Sequence, residues 1–384
     1  MKLKEKLDRL INQKKTLLGV GPMSKNVVDS TIEIANKFNT PLMFIASRRQ
    51  IDSSDFGGGY VNNWDTASYS KYVKKRDKKN NLILCRDHGG PWQNNLELKK
   101  KLNLVQAMKS AKQSYLEDIK NNFEIIHIDA SLNLRNNNKI NDALERTYEL
   151  YEYCYEQAHK FKKKILIEVG TEEQTGSTNT FEEIEFFLEN LVKFCNVNNL
   201  PKLFFIVLQS GTKVMEMRNV GIFESNIRIK NQIPVEIQIF KLLEICKKFG
   251  VYFKEHNTDY LTNESLRWHP FLGIHASNVA PEFGVTETKT LIELMNYYSP
   301  NLKNNFIDLC IASNKWKKWV LSANVSKLDK ALICGHYVFS TTQGREIINE
   351  MKFIMKKKKF NFDNELKKSI KISITRYLKN FRLI

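Results

Sequence analysis

Eight short apolar segments recur along this chain, and stretches with helical periodicity separate most of them. The predicted strands are 17–21, 42–46, 82–87, 124–129, 164–170, 203–208, 251–255 and 271–275. The predicted helices lie near 24–37, 97–119, 140–162, 180–197, 235–249, 260–268 and 286–298. The strands are almost continuously apolar, as strands buried on both faces of a parallel sheet are. Eight strands that alternate with helices predict an α/β fold, the (β/α)8 TIM barrel.

The chain has 384 residues, whereas a barrel of this kind takes about 250. We therefore assign residues 1–300 to the barrel. Beyond Pro300 the pattern changes to helical periodicity that includes Trp316, Trp319 and Tyr337. Residues 301–384 are predicted to form a C-terminal helical extension, packed on the barrel or at a subunit interface.

The composition is that of a globular protein with an excess of basic residues, which gives a net charge of +18. Basic surfaces attract polyanions, but no RNA-binding signature accompanies these lysines, so we expect no nucleic-acid partner. No apolar stretch has the length of a signal peptide or a membrane helix, which predicts a cytoplasmic protein without a membrane partner. The six cysteines form no CxxC pair, which favours reduced thiols over disulfides or a structural zinc site.

Polar residues follow several of the predicted strands, and a barrel gathers all its strand ends on one face. Asp87 and His88 follow the third strand, Asp129 the fourth, Glu172 the fifth and His256 the seventh. Adjacent residues on a regular strand point to opposite faces, so Asp87 and His88 share a site only if the strand ends there. A single residue of this kind more often has a structural role, such as capping a helix. Their coincidence at one barrel face predicts a site.

The residue types at this face suit a divalent metal centre. His88 and His256 are predicted ligands, and Glu172 and Asp129 are further ligands or carboxylates that orient the imidazoles. Two imidazoles and two carboxylates suit Zn²⁺, and also Mn²⁺, Fe²⁺ or Co²⁺. Asp87 beside such an ion suits a catalytic base. We interpret His127, which shares a strand face with Asp129, as a structural hydrogen-bond partner.

Five segments of the chain resemble the D-tagatose-1,6-bisphosphate aldolase family. They are 47–60, which contains Phe56-Gly57-Gly58, and 84–91, 126–131, 170–172 and 255–260. The resemblance spans roughly residues 15–300 in the same order. It is to the branch of larger subunits usually labelled non-catalytic.

That family belongs with the class II ketose-bisphosphate aldolases, in which a divalent metal polarises the carbonyl of dihydroxyacetone phosphate and stabilises the enediolate. The resemblance implies that Asp87 is the acid/base residue and that His88 is the first metal histidine. It matches Asp129 and Glu172 to nearby carboxylates and His256 to the last metal histidine.

Substrate-binding residues are predicted at the remaining strand ends. His275 and Asn278 belong to the eighth strand end, and barrels commonly bind phosphate with the loops after strands seven and eight. The segment 209–211 either offers backbone amides to an anion or is simply a turn. The predicted substrate-binding residues are Ser47, Gln209, Gly211, Asp259, His275 and Asn278.

The chain departs from the class II pattern in two places. The family carries a third metal histidine after the sixth strand, but segment 211–221 contains no histidine. Glu172, Glu216 or water then completes the coordination, or the standard metal site is not built. Segment 273–284 also differs from the corresponding family stretch, which suggests a substrate other than tagatose bisphosphate.

These observations lead to three functional hypotheses. The first is a metal-dependent class II aldolase, an aldehyde-lyase that makes or breaks a carbon–carbon bond in a phosphorylated ketose through an enediolate. The second is a non-catalytic subunit that stabilises a separate aldolase subunit. The third is a sugar-phosphate epimerase or isomerase, which needs the same metal and base. The expected partners are a phosphorylated sugar and either further copies of this chain or an aldolase subunit.

Overall fold

The computed structural model describes residues 2–132, 140–170, 180–224, 233–322 and 324–384. Eight parallel strands close into a barrel in the order β1-β10-β9-β6-β5-β4-β3-β2, and β7 and β8 form a separate antiparallel hairpin. The strands are β1 (Leu17–Val20), β2 (Leu42–Ser47), β3 (Leu82–Gly89), β4 (Ile125–Asp129), β5 (Leu166–Gly170), β6 (Phe205–Val207), β7 (Val214–Met215), β8 (Arg218–Asn219), β9 (Tyr252–Glu255) and β10 (Ala276–Val279). The predicted TIM barrel is confirmed.

Fourteen α-helices are found in the described part of the chain. They are α1 (Leu3–Asn12), α2 (Lys25–Phe38), α3 (Thr66–Arg76), α4 (Asn95–Lys99), α5 (Leu104–Lys120), α6 (Ile140–Lys160), α7 (Phe181–Val197), α8 (Val235–Phe249), α9 (Asn263–Leu272), α10 (Pro281–Tyr298), α11 (Pro300–Ala312), α12 (Lys327–Cys334), α13 (Thr342–Lys357) and α14 (Phe362–Asn380). None of these helices combines the length and the apolar character needed to cross a membrane.

The predicted eighth strand, 271–275, is wrong. Phe271 and Leu272 form the end of α9, which begins after the N-cap Thr262 and ends at Gly273 with φ +89°. The strand starts only at Ala276. The apolar segment therefore joins the last turn of a helix to a buried loop residue, Ile274, and mimics a strand in the sequence.

Alternate residues of each strand pack on opposite sides of the barrel wall. Leu18, Phe44 and Leu84 belong to the large core shared with the surrounding helices. Their neighbours Leu17, Met43, Ile83, Cys85 and Ile125 belong instead to an interior cluster with Leu7, Leu10 and Ile11 of α1. The first helix thus closes the amino end of the barrel with apolar side chains.

The helices beyond Pro300 pack in two different ways. The first three, α11 to α13, build a second core with α10, which includes Phe306, Cys334 and Met351. The last helix, α14, packs against α2 and α10, and Ile370 and Tyr377 enter the barrel core. The C-terminal residues therefore both extend the barrel and complete its helical layer.

Candidate metal centre at the carboxyl end of the barrel

Four buried side chains converge inside the carboxyl end of the barrel. Asp87 comes from β3, His127 from β4 and Glu168 from β5, and His256 directly follows β9. One potential ligand atom from each residue lies within 4.8 Å of the corresponding atoms of the other three. The donor set, two imidazoles and two carboxylates, is one that divalent transition metals bind.

The distances between these atoms are longer than good hydrogen bonds. Oε1 of Glu168 lies 3.5 Å from Nδ1 of His127 and 3.5 Å from Nε2 of His256. Oδ1 of Asp87 lies 3.8 Å and 3.6 Å from the same two nitrogens. Ligands about 2.1 Å from a tetrahedral Zn²⁺ are about 3.4 Å apart, because they lie at the corners of a tetrahedron. The four distances given above are close to that spacing, and all four atoms lie within 4.8 Å of one another.

Several polar atoms of this group are buried without a hydrogen-bond partner in the described structure. They include Oε1 of Glu168, Nε2 of His256 and Nε2 of His127. Leaving a buried polar atom unsatisfied costs about 1–3 kcal/mol, so native proteins rarely keep several together. The backbone N–H of His88 donates to Nδ1 of His127 at 3.2 Å, and this contact uses the one lone pair of that nitrogen, so an ion bound there would displace it. The residues therefore fit a divalent cation.

A β-bulge places Asp87 and His88 at the same site. Arg86 pairs with Ile126 and Gly89 with Ile128, so Asp87 and His88 together oppose His127 alone. His88 takes a left-handed backbone conformation with φ +43°. The prediction that the strand ends at this point is wrong, because β3 continues to Gly89. The bulge, and not the end of the strand, brings Asp87 and His88 to the same site.

A buried lysine orients Glu168 from the side opposite the imidazoles. Nζ of Lys254 lies 2.7 Å from Oε2 of Glu168, and each side chain is only 1% exposed. Burial by itself raises the pKa of Glu168, but Lys254 and the imidazoles of His127 and His256 outweigh it and lower the pKa to about 2. One carboxylate oxygen is thus paired with Lys254, and the other faces the cluster.

His88 and Asp129 form a second pair at the rim of the cluster. Nδ1 of His88 lies 2.8 Å from Oδ2 of Asp129, which also accepts a hydrogen bond from Gln93 at 2.9 Å. The His88 side chain is 30% exposed, whereas that of Asp129 is 3% exposed. Burial lowers the pKa of His88, but Asp87 and Asp129 together raise it to about 9. His88 is therefore the imidazole at this site that reaches solvent.

Asp87 connects the cluster to the last barrel strand. Nδ2 of Asn278 on β10 donates to Oδ1 of Asp87 at 3.2 Å. Burial raises the pKa of Asp87, but the surrounding imidazoles of His88, His256 and His127 lower it below its usual value. Ser47, at the end of β2, pairs in register with Asp87. The predicted residues Asn278 and Ser47 thus lie beside the cluster.

Other predicted site residues have different positions. Asp259 accepts hydrogen bonds from the backbone N–H groups of Ala280 and Glu282 and so caps α10. His275 precedes β10, at the amino end of the barrel, where its Nδ1 accepts from the N–H of Phe253 at 3.0 Å. That position contradicts its prediction as a strand-end residue, because β10 starts later than expected. Gln209 and Gly211 lie in the segment between β6 and the β7–β8 hairpin, and Glu172 lies outside the described residues.

The sequence reasoning missed Glu168 as a site residue and assigned His127 a structural role. The alternation of side chains along β4 and β5 already indicated the positions of both residues. Glu168 and Gly170 share a face of β5, and His127 and Asp129 share a face of β4. A Cβ atom at Gly170 would lie 2.5 Å from Nε2 of His127, so only glycine leaves space for the imidazole. A histidine and a glutamate inside apolar strands are thus interior residues of the barrel.

Comparisons with known proteins agree with this architecture. The structure is similar to a probable tagatose 6 phosphate kinase from Sinorhizobium meliloti 1021, with a TM-score of 0.74 at 14% identity, over 95% of this chain and 100% of that one. It is similar to fructose-bisphosphate aldolase from Campylobacter jejuni, with a TM-score of 0.57 at 12% identity, over 100% and 94% of the two chains. It is also similar to fructuronate-tagaturonate epimerase UxaE from Cohnella laeviribosi, with a TM-score of 0.55 at 10% identity, over 96% and 81%. At these identities the likeness shows a shared fold.

The sequence itself gives the more specific result. A search of curated proteins finds no match. However, a family model for the D-tagatose-1,6-bisphosphate aldolase subunit GatZ/KbaZ-like proteins matches residues 5–269. That match covers most of the chain and includes all four residues of the cluster. The chain therefore belongs to the GatZ/KbaZ-like family of D-tagatose-1,6-bisphosphate aldolase subunits, an aldolase-related family.

Proposed function

We propose that this chain is a metal-dependent enzyme of the class II aldolase type, which makes or breaks a carbon–carbon bond in a phosphorylated ketose. The observation that carries the proposal is the group of four buried donors with unsatisfied atoms. A barrel interior that served only to stabilise the fold would not keep buried polar atoms without hydrogen-bond partners. Apolar side chains fill the same space at a lower free-energy cost.

Asp87, His127, Glu168 and His256 would hold the ion in this proposal. Zn²⁺ suits the donor set, and Mn²⁺, Fe²⁺ and Co²⁺ suit it as well. The bound ion would supply Lewis-acid stabilisation of the negative charge that develops beside a substrate carbonyl. His127 would take the place of the histidine that the segment after the sixth barrel strand lacks. The donor count is therefore complete without Glu172 or Glu216.

His88 is the residue that we assign to proton transfer. Its Nδ1 is held by Asp129, which fixes the orientation of the ring and leaves Nε2 free to face the site. It is also the solvent-accessible member of the group, and so the one that substrate reaches first. Because its pKa is raised to about 9, His88 carries a proton near neutral pH, and in the condensation direction it would donate that proton to the aldehyde oxygen that becomes the product hydroxyl. Asp87, which the sequence suggested for this role, would instead hold the ion.

Two other functions use the same residues differently. The description of the family as a subunit favours a stabilising partner for a separate aldolase. The fold shared with an epimerase is compatible with a reaction that needs metal and base but leaves the carbon chain intact. A pure stabilising partner binds no ion in the barrel and releases no product. An epimerase changes the configuration of its substrate without changing the carbon count.

The test measures bound zinc and turnover for three variants of the purified full-length chain. His88→Asn is expected to keep zinc binding and lose turnover on a panel of ketose phosphates, because it changes the proton-transfer residue. Asp87→Asn is expected to weaken zinc binding and lose turnover together. His275→Asn, an imidazole at the opposite end of the barrel, is the matched control and should keep both.

Three results would contradict the proposal or a part of it. A wild-type chain that binds no zinc and cleaves no ketose phosphate would favour the stabilising partner. An unchanged carbon count in the products, with activity that depends on His88, would favour the epimerase. Full activity of His88→Asn would remove the proton-transfer role from that residue.

A further inference from the structure

The last helix of the chain contacts the segment that carries the candidate ligand His256. This segment, residues 256–262, joins β9 to α9 and begins with His256. On α14, Nη1 of Arg376 donates to the backbone carbonyl of Leu261 at 2.8 Å. The next residue, Tyr377, is fully buried, and its hydroxyl oxygen lies 3.5 Å from the carbonyl oxygen of Thr258. The segment therefore packs directly against α14.

Glu282 of α10 makes a second connection between α14 and the segment. Its carboxylate accepts hydrogen bonds from Nη2 of Arg376 at 2.9 Å, from the hydroxyl of Ser373 at 2.9 Å and from the hydroxyl of Tyr377. Oε2 of the same carboxylate accepts from the backbone N–H of Tyr260 at 2.6 Å. The side chains of Arg376 and Glu282 are only 26% and 11% exposed, so solvent screens this ion pair less than one at the surface. Three side chains of α14 thus hold Glu282, and Glu282 holds the segment.

The backbone conformation of the segment requires support from its surroundings. Asn257 and Tyr260 both lie in the left-handed region, with φ of +60° and +64°. Asparagine tolerates this region, but a bulky side chain such as that of Tyr260 rarely occupies it. Such conformations persist where the surrounding structure holds them. The hydrogen bond from the N–H of Tyr260 to Glu282 therefore acts at the strained residue itself.

A displacement of the segment would reach the candidate metal centre at two points. His256 is its first residue, and its imidazole is one of the four candidate ligands. The N–H of Thr258 donates to the carbonyl of Asn278 at 3.2 Å, and Nδ2 of Asn278 donates to Oδ1 of Asp87 at 3.2 Å. The position of the segment therefore affects His256 directly and Asp87 through Asn278.

The side chains that hold the segment lie beyond the part of the chain that the family model matches. That match ends at residue 269, whereas Glu282 belongs to α10, and Arg376 and Tyr377 belong to α14. The family match therefore gives these three residues no role.

We propose that Arg376 and Tyr377 are positioning residues of the candidate metal centre. Through Glu282 and Leu261 they hold segment 256–262 in the conformation that places His256 among the other ligands. They act through the segment and do not touch the ion or the substrate. The inference rests on the proposed function, because it takes His256 as a metal ligand. Residues that orient a ligand without binding the metal contribute about 10–100-fold to metal affinity.

The first measurement is amide hydrogen exchange of the metal-free, full-length chain, read by mass spectrometry. Arg376→Met removes the hydrogen bonds of the guanidinium, and Tyr377→Phe removes only the hydroxyl and keeps the ring. Exchange in segment 256–262 should be faster in both variants, by about 10-fold in Arg376→Met, while exchange in strand β4 stays that of the wild type. Arg345→Met removes an exposed arginine from α13. It is the matched control and should change neither rate.

The second measurement is the zinc affinity of the same variants, by competition with a chromogenic chelator. Arg376→Met should raise the Kd by about 10-fold or more, and Tyr377→Phe should raise it by a smaller factor. Arg345→Met should leave the Kd unchanged. Residues that only stabilise the fold would instead speed exchange in β4 as much as in the segment, and would leave the zinc affinity of the folded chain unaltered.

Unchanged exchange of the segment in both variants would overturn the proposal, and so would an unchanged zinc Kd. If Arg376→Met does not fold, Tyr377→Phe decides by the same two criteria. Zinc binding and aldol cleavage that are independent of both residues reject the positioning role alone. Zinc affinity that depends on both residues, in a chain that cleaves no ketose phosphate, rejects the proposed function alone. A wild-type chain that binds no zinc rejects both.

Discussion

The two ends of the barrel interior are built from the same strands but have opposite chemistry. At the amino end Met43 and Ile83 pack with Leu7 and Leu10 of α1, and this layer is closed and apolar. A few residues further along the strands, the interior positions are polar and hold Asp87, His127, Glu168 and Lys254. Several atoms of this group lack a hydrogen-bond partner in the described structure.

The difference indicates that the two ends of the barrel interior have different roles. The amino end buries apolar surface and contributes stability, because each apolar side chain there contacts others on all sides. The carboxyl end keeps buried polar atoms that the protein itself does not satisfy, which costs stability unless a ligand binds. If this division is correct, substitutions at the two ends change different measurable properties.

The largest expected effect is the loss of metal binding at the carboxyl end. His256→Ala removes one of the four proposed ligands, and zinc affinity should fall by more than about 100-fold, since even residues that only orient a ligand are worth 10–100-fold. Competition with a chromogenic chelator measures the affinity. His275→Ala, which removes the imidazole at the amino end, is the control. Equal affinities of the two variants would show that the ends do not differ as described.

The next prediction concerns the Lys254–Glu168 pair inside the carboxyl end. Lys254→Met leaves the Glu168 carboxylate buried without its cation, so the free energy of unfolding of the metal-free chain should fall by about 3–5 kcal/mol. Glu168→Gln added to this variant should restore part of the loss, because it removes the stranded charge. Denaturant unfolding of both single variants and the double variant gives the coupling energy. Strictly additive effects would mean that the two side chains do not interact.

At the amino end the expected effect is on stability alone. Leu7 is fully buried against the interior cluster, so Leu7→Ala should lower the free energy of unfolding by about 2–4 kcal/mol through the cavity it creates. Zinc affinity should remain that of the wild type. A weakening of zinc binding comparable to that of His256→Ala would contradict the separation of the two ends.

The smallest effect concerns a buried carboxylate at the carboxyl end that lies outside the candidate metal centre. Asp259 caps α10, and burial raises its pKa from 3.8 to about 7 despite the hydrogen bonds it accepts. The folded state therefore binds more protons than the unfolded state in this range, and stability rises as the pH falls through about 7. Between pH 8 and pH 6 the gain is about 1 kcal/mol.

Asp259→Asn keeps an acceptor for α10 and cannot titrate. The difference in unfolding free energy between the wild type and this variant should therefore change by about 1 kcal/mol between pH 8 and pH 6. Zinc affinity should be unaffected. A difference that stays constant with pH would mean that Asp259 is already ionised in the folded chain throughout this range.

The barrel could be predicted from the sequence because its signal is repeated eight times. Apolar strands at regular spacing identify the architecture even when one of them is misplaced, as the segment 271–275 shows. That error arose because Phe271 and Leu272 end a helix immediately before the strand. An apolar segment does not show in the sequence where the helix ends and the strand begins.

The site could be predicted only in part. Asp87 and His256 were predicted as site residues because each follows an apolar segment of the sequence. Glu168 lies inside a strand, and so does His127, and a single polar residue in an apolar segment is more often a satisfied core residue than a ligand. Only closure of the barrel shows that these side chains face the same interior as Asp87. The bulge that places His88 beside Asp87 depends on strand register, which sequence does not reveal.

The central claim is that one divalent ion binds among Asp87, His127, Glu168 and His256. Anomalous diffraction at the zinc absorption edge, from crystals of the full-length chain grown with zinc, tests it most directly. The account predicts a single strong peak about 2.1 Å from one donor atom of each of these residues, and its loss in His256→Ala. No peak at this position, or a peak bound only by residues outside the group, would contradict the account.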